Sequence, residues 1–201
     1  MTDTPICGFS SFALDRCDDV RTEPDQLMEL LVHPAAQQIL LRGLDPVTDG
    51  HHLARAPLSH EARIEDYILL GKDEAGAPLF VAFGQGELPH GAQFAPHVRA
   101  MVAQLSPEEM SLYGCARSLV DWHARHGFCA VCGARTEPFR AGWARRCGGC
   151  GAEHFPRVDP VVIMLAEHDG RVLVGRQSRF PVGFYSALAG FVEPGETLEG
   201  A

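Results

Sequence analysis

Four cysteines are spaced to hold a metal ion: Cys129 and Cys132, then Cys147 and Cys150, in the pattern C-x2-C-x14-C-x2-C. Two such knuckles can bring four thiolates to the corners of one tetrahedron, a geometry and a soft ligand set that suit Zn2+. A glycine follows each knuckle (Gly133 and Gly151), where a tight turn can aim backbone N–H groups at the sulfurs. The competing readings are chance spacing and a pair of disulfides. The chain has seven cysteines, an odd number with uneven spacing, which fits a reducing compartment better than a disulfide scaffold. Four protein ligands leave no open position, so this zinc is expected to be structural. A closed site folds a loop and does not activate water.

A second spacing sits near the C-terminal end, where Gly190 is followed after five residues by Glu196. Alone, G-x5-E is a weak signal. The other chemically able residues are scattered. Cys7 and Cys17 have no ligand-like neighbours, and Cys115 falls in a helical stretch, where a small core residue is the default. His51, His52 and His60 lack partners at ligand spacing and read as loop or surface residues.

Composition narrows the classes these residues could serve. With 201 residues, 46% of them hydrophobic, the chain can bury one sizeable core or a few small ones. A formal net charge of -9 argues against a general polyanion binder, which needs clustered Lys and Arg. It does not exclude a nucleotide held in one local pocket. The start, Met1 to Pro5, has no basic region of a signal peptide, and the first apolar stretch is broken by Ser10, Ser11 and Asp15. The longest apolar run, Val161 to Ala166, is far too short to cross a membrane, and a cytoplasmic protein is expected.

The elements that must position the cysteines divide into segments. Residues 1–105 read as a small β-rich or α+β unit. Leu27 to Leu31 is a short helix or strand stopped before Pro34, and Asp66–Gly71 and Pro78–Phe83 are two strands around a turn at Asp73–Gly76. Ser106-Pro107-Glu108-Glu109 opens a helix with an N-cap, a proline at the first position and a glutamate at the capping-box position. Met110, Tyr113, Ala116, Leu119, Val120 and Trp122 continue it at helical period, and it should stop near His126-Gly127. Past the knuckles, Val161–Ala166 reads as a strand, His168-Asp169-Gly170 as a hairpin turn and Arg171–Arg176 as the returning strand. Gln177–Ser186 reads as a loop, Ala187–Val192 as a strand, and Thr197 onward as the start of a helix.

Here a resemblance becomes specific. Trp122-His123-x4-Phe128-Cys129-x2-Cys132-Gly133, Cys147-x2-Cys150, Phe155-Pro156-Arg157-x2-Pro160-x-Val162-Ile163 and Leu188-Ala189-Gly190-Phe191-Val192-Glu193-x-Gly195-Glu196 resemble the NADH pyrophosphatase branch of the Nudix hydrolases. The likeness runs from about Leu105 onward and is faint before it. A zinc ribbon directly ahead of the opening of a Nudix box is more diagnostic than either alone. The fold class this implies is α+β: an N-terminal accessory α+β domain (1–105), a linking helix (106–127), a four-cysteine zinc ribbon (128–156) and the first part of a Nudix α/β/α sandwich (157–201).

The resemblance implies hydrolysis of the pyrophosphate of NADH or NAD+ to nicotinamide mononucleotide and AMP, and possible removal of NAD caps from RNA. It implies a homodimer that uses Mg2+ or Mn2+. Divalent metals suit this chemistry because the phosphates are anionic and repel an incoming hydroxide. In the family Ala189 matches a position whose main-chain carbonyl binds the divalent ion. Gly190 admits the tight backbone entering the box loop, and Glu196, the first box glutamate, orients loop and helix rather than serving as the main ligand. Phe155 matches an aromatic beside the nucleotide site, with core packing as its alternative. Glu193, Arg157, Arg176 and Trp143 have weaker claims. The Arg-Glu pair and the later glutamates of the box would fall after Ala201, so the 201 residues by themselves are expected to be inactive. A non-catalytic zinc-ribbon interaction module is the alternative function.

Overall fold

The computed structural model describes residues 9 and 11, 13–84 and 96–201, with the backbone alone at 96, 97 and 99. Cys7, Ser10 and the Met1–Pro5 stretch lie outside the described residues. The chain forms two compact units, Met1–Pro156 and Arg157–Ala201.

The first unit is built on a four-stranded sheet. After helix α1 (Pro24–Leu31) come strands β1 (Gln37–Ile39), β2 (Arg55–Pro57), β3 (Tyr67–Lys72) and β4 (Pro78–Ala82). Their order across the sheet is β2-β1-β4-β3. β1 runs parallel to β4 and antiparallel to β2, and β4 is antiparallel to β3. Tyr67 to Leu70 form an unbroken apolar run because both faces of this sheet are covered. Side chains alternate along a strand, and the burial follows that period of two. Ile68, Leu70, Leu79 and Val81 join one cluster, with Leu112, Tyr113, Ala116, Leu119 and Val120. Tyr67, Leu69 and Phe80 join the other, with Leu27 and Leu31 of α1.

Two further helices complete the unit, α2 (Pro96–Val102) and α3 (Pro107–Arg125). α3 supplies much of the first cluster. Its start is capped by the Ser106 hydroxyl, which accepts the Glu109 N–H at 3.3 Å, and His126 N–H closes on Trp122 C=O at 3.0 Å at its end. The Glu109 side chain departs from the capping-box expectation. It is buried, accepts the Leu53 N–H at 2.9 Å and pairs with Arg55 at 2.7 Å. In a dry site a charge-assisted bond to a guanidinium outweighs the bond back to a helix N-terminus.

The ribbon follows, with β5 (Thr136–Phe139), β6 (Ala144–Cys147) and β7 (Glu153–His154) in the order β7-β6-β5. The second unit holds β8 (Val161–Met164), β9 (Glu167–His168), β10 (Arg171–Val172) and β11 (Leu188–Phe191). The apolar run at Val161 ends as a strand at Met164 and pairs antiparallel with β11, Val161 opposite Phe191. The Asp169-Gly170 turn forms as expected, yet the returning strand holds only Arg171–Val172, paired with Glu167–His168. Thr197 does not lead into a helix among the described residues. It closes a single turn in which Gly200 N–H donates to the Thr197 hydroxyl at 3.1 Å, the bond an N-cap makes. None of the described helices is long and apolar enough to cross a membrane.

Candidate metal centre

The two knuckles share a six-residue sequence, C-x2-C-G-A, at 129–134 and 147–152, and they fold alike. In each, the first cysteine's N–H donates to the alanine carbonyl, at 2.8 Å for Cys129–Ala134 and 2.9 Å for Cys147–Ala152. The glycine N–H donates back to the first cysteine's carbonyl, Gly133 to Cys129 at 2.9 Å and Gly151 to Cys147 at 3.0 Å. Both glycines are left-handed, with φ of 76° and 75°, a conformation that a Cβ disfavours. This turn points N–H groups inward at sulfur. Val131 N–H lies 3.4 Å from Cys129 Sγ, and Gly149 and Cys150 N–H lie 3.3 and 3.4 Å from Cys147 Sγ.

The four sulfurs lie within 4.8 Å of one another. Cys129 Sγ is 3.7 Å from Cys150 Sγ, and Cys132 Sγ is 3.4 Å from Cys147 Sγ. Those separations exclude disulfides, whose sulfurs sit about 2.05 Å apart. They fit zinc, since four sulfurs about 2.3 Å from one tetrahedral ion are about 3.8 Å from each other. Backbone N–H groups, first that of Cys150 and then that of Gly149, help bring the Cys147 thiol down to about 6, and so favour a thiolate before any metal is added. Cys129 and Cys147 are buried, while Cys132 and Cys150 are exposed. With all four positions filled by protein, the centre can hold a fold together but cannot offer water to a substrate.

The opposite end of the ribbon is fixed by different means. Arg140, Ala141 and Gly142, in the turn between β5 and β6, are all left-handed, at φ of 52°, 50° and 87°. That turn lies against β3: Leu69 N–H donates to Ala141 C=O at 3.1 Å, and Trp143 Nε1–H donates to Leu69 C=O at 2.7 Å. A Cβ on Gly142 would come within 2.8 Å of Ile68. Arg140 reaches Asp18 at 2.7 Å, and the Arg21 guanidinium stacks 3.9 Å over the Trp143 ring, so Trp143 serves the core.

Sequence reasoning missed a buried polar chain between these ends. Arg145 donates to the Thr136 hydroxyl at 2.8 Å, to the Thr136 carbonyl at 2.7 Å and to His123 Nδ1 at 2.8 Å. His123 Nε2 then meets the Gly142 carbonyl at 2.7 Å. Donation to a carbonyl on one side and acceptance from a guanidinium on the other require the neutral ring protonated on Nε2. Burial pushes the His123 pKa down to about 4, against the bond to Gly142 and with the help of the Arg145 and His126 charges. Phe83 and Trp122 pack edge-on against the ring. Thr136 stands opposite Cys147 in the ladder, so the network starts beside a metal ligand. Nothing in the sequence marks it, because its members are 9 to 22 residues apart and belong to a helix and two strands.

His154 was also missed: its Nε2 lies 3.3 Å from Cys129 Sγ. A C-x3-H spacing after Cys150 is the one signal that could have found it. Of the other residues singled out by sequence, Phe155 is 55% exposed. Arg157 pairs with Asp159 at 2.8 Å, and Arg176 donates to the carbonyls of Phe180 and Pro181. Ala189 lies in β11 opposite Ile163, and Gly190 opposite Val162. Glu196 accepts the Glu193 N–H at 2.9 Å, and Glu196 N–H donates to the Glu193 carbonyl at 3.1 Å, closing the loop after β11. Cys115 is held as a thiol, its pKa raised to about 11 by burial, which leaves it a poor nucleophile.

The NADH pyrophosphatase zinc ribbon domain matches residues 124–155, the stretch that holds all four cysteines. Among whole proteins, the chain is 31% identical over 246 residues to the human NAD-capped RNA hydrolase NUDT12, an alignment covering 96% of the chain and 53% of the relative. It is 32% identical over 196 residues to the NAD-capped RNA hydrolase NudC of Mycobacterium tuberculosis, covering 94% and 62%. It is 33% identical over 189 residues to the mouse NAD(P)H pyrophosphatase NUDT13, mitochondrial, covering 80% and 54%. The chain therefore spans between half and two thirds of the length of these relatives. Through its ribbon and across these alignments, the chain is similar to the NADH pyrophosphatase branch of the Nudix hydrolases.

Proposed function

We propose that this chain provides the ribbon and the box entry of a hydrolase that cleaves the pyrophosphate of NADH or NAD+ to nicotinamide mononucleotide and AMP, and that also removes NAD caps from RNA. The observation that carries the proposal is the succession of two parts: a ribbon at residues 124–155, then β11 running into Gly190-x5-Glu196. The relatives' names, NAD-capped RNA hydrolase and NAD(P)H pyrophosphatase, support that substrate class.

Local geometry supports the roles given to the box residues. Hydrogen bonds in an antiparallel ladder alternate, and Val192 N–H donates to Pro160 C=O at 3.0 Å. By that parity the carbonyl of Ala189 points away from β8, free to face a cation. Glu196 acts on the loop, through the Glu193 N–H, which suits a positioning role. Mg2+ or Mn2+, when bound, would neutralise the phosphates and render a bound water nucleophilic. Among the described residues the cysteines are the one group of three or more potential metal-holding side chains. Ala189 alone does not make a divalent-cation site. Phe155, exposed beside the ribbon, offers a ring face on which a base could stack. The free thiols among the described cysteines support a reducing compartment such as the cytoplasm. A homodimer follows from the resemblance alone.

The test begins with the codons after Ala201, which should supply Arg-Glu and then Glu-Glu at the box spacing. The product carrying them is expected to release AMP from NADH only with Mg2+ or Mn2+ present. Absence of those residues, or of AMP release by that product, would overturn the proposal and favour an interaction module.

A further inference from the structure

The two buried sulfurs of the ribbon each have two nitrogen atoms within hydrogen-bond distance, but from different sources. Cys147, 2% exposed, receives Gly149 N–H at 3.3 Å and Cys150 N–H at 3.4 Å, both from its own knuckle. Cys129, 5% exposed, receives only Val131 N–H from its knuckle, at 3.4 Å. The equivalent second bond, from Cys132 N–H, does not form among the described residues. His154 Nε2 takes that place at 3.3 Å. The exposed sulfurs of Cys132 and Cys150 can be reached by water and need no such donors.

The asymmetry has a physical reason. Four thiolates around one divalent ion leave a net charge of about -2 on the centre, and a buried thiolate without solvent must have its charge drawn off by N–H groups. Donors that do this orient a ligand and hold it in its metal-binding form, which is how residues outside the coordination sphere tune metal affinity. His154 is well placed to do so, because the ladder fixes it on β7 directly opposite Arg145 of β6. We propose that His154 is a positioning residue of the zinc centre, donating its Nε2–H to the Cys129 thiolate and slowing loss of the ion. The proposal rests on the zinc reading of the four cysteines and adds a fifth residue to it.

Zinc stoichiometry of the purified wild-type chain tests the centre itself: one ion per chain is expected, and much less would remove the basis for the proposal. For His154, the cadmium-substituted wild-type protein is examined by NMR for scalar coupling between the metal and the imidazole Nε2 proton across the N–H···S bond. Coupling is expected, and its absence would overturn the proposal while leaving the zinc centre standing. The rate of zinc transfer to a chromophoric chelator gives a second readout. His154→Phe should speed transfer about tenfold, and His154→Gln, whose amide N–H can reach the same sulfur, should restore most of the wild-type rate. A His154→Phe protein that keeps zinc as long as the wild type, or a His154→Gln protein as leaky as His154→Phe, would sink the assignment.

Discussion

The ribbon's two ends are held by opposite means. At the metal end the backbone bonds are local: each knuckle closes on itself within six residues, and the sulfurs converge from two short turns, with His154 as the more distant contact. At the other end the turn at Arg140–Gly142 is held by partners well removed in sequence: His123 at 19 residues, Leu69 at 72 and Asp18 at 122. One end depends on an ion, the other on the sheet it rests against. A ribbon built this way is part of the first unit's core, and its strained turn persists because the surroundings over-determine it.

Removing zinc should separate the ends most sharply. Structural zinc is worth roughly 10 kcal/mol or more to a small metal-folded site. On chelation, the N–H groups of Cys129, Gly133, Cys147 and Gly151 should lose protection from hydrogen exchange. Leu69 N–H, bonded to Ala141, should keep most of its protection. Equal loss at both ends would show that they form one cooperative element.

Acid should strike the docked end. The His123 ring is neutral in the fold with a pKa of about 4, against 6.5 when free. A depressed pKa stabilises the fold fully above 6.5 and loses that contribution as pH falls from 6.5 towards 4. The loss amounts to about 3 kcal/mol, because the unfolded chain takes up the proton first. His123→Gln, whose amide can still bridge Arg145 and Gly142, should flatten the denaturation-midpoint curve over that window. Identical curves for the two proteins would show that His123 is not the titrating group.

A smaller effect is expected from Gly142→Ala. The new Cβ meets Ile68 at 2.8 to 3.0 Å on a residue at φ 87°, a combined strain of about 2 kcal/mol. Thermal stability should fall while zinc content stays unchanged. A parallel loss of zinc would mean that strain at the docked end reaches the metal.

The same contrast explains what the sequence made legible. The cysteines could be read because their ligand geometry is encoded in spacing along a short stretch. So could the continuous run Tyr67–Leu70, whose signature is local in sequence, and the Ser106 cap, whose cause is local. Glu109 was misread because its partners, Leu53 and Arg55, lie 56 and 54 residues away. The run at Val161 announced a strand without saying that its partner would be Leu188–Phe191 rather than the next segment of the hairpin. An apolar period fixes which face is buried, not which strand lies alongside. His123 and Arg145 form a buried polar network that no periodicity reports.

The repeated C-x2-C-G-A turn also bears on how such a ribbon could change over time. Because each knuckle completes its own backbone bonds, either half can drift in sequence without reshaping the other, provided its cysteines stay in place. The exception is Gly149, where a Cβ would come within 3.0 Å of Ala134 Cβ. Its counterpart in the first half is Val131, exposed and free of that constraint. The halves are thus copies in backbone but not interchangeable parts, and a graft of the first hexapeptide onto the second would crowd Ala134 at that one position.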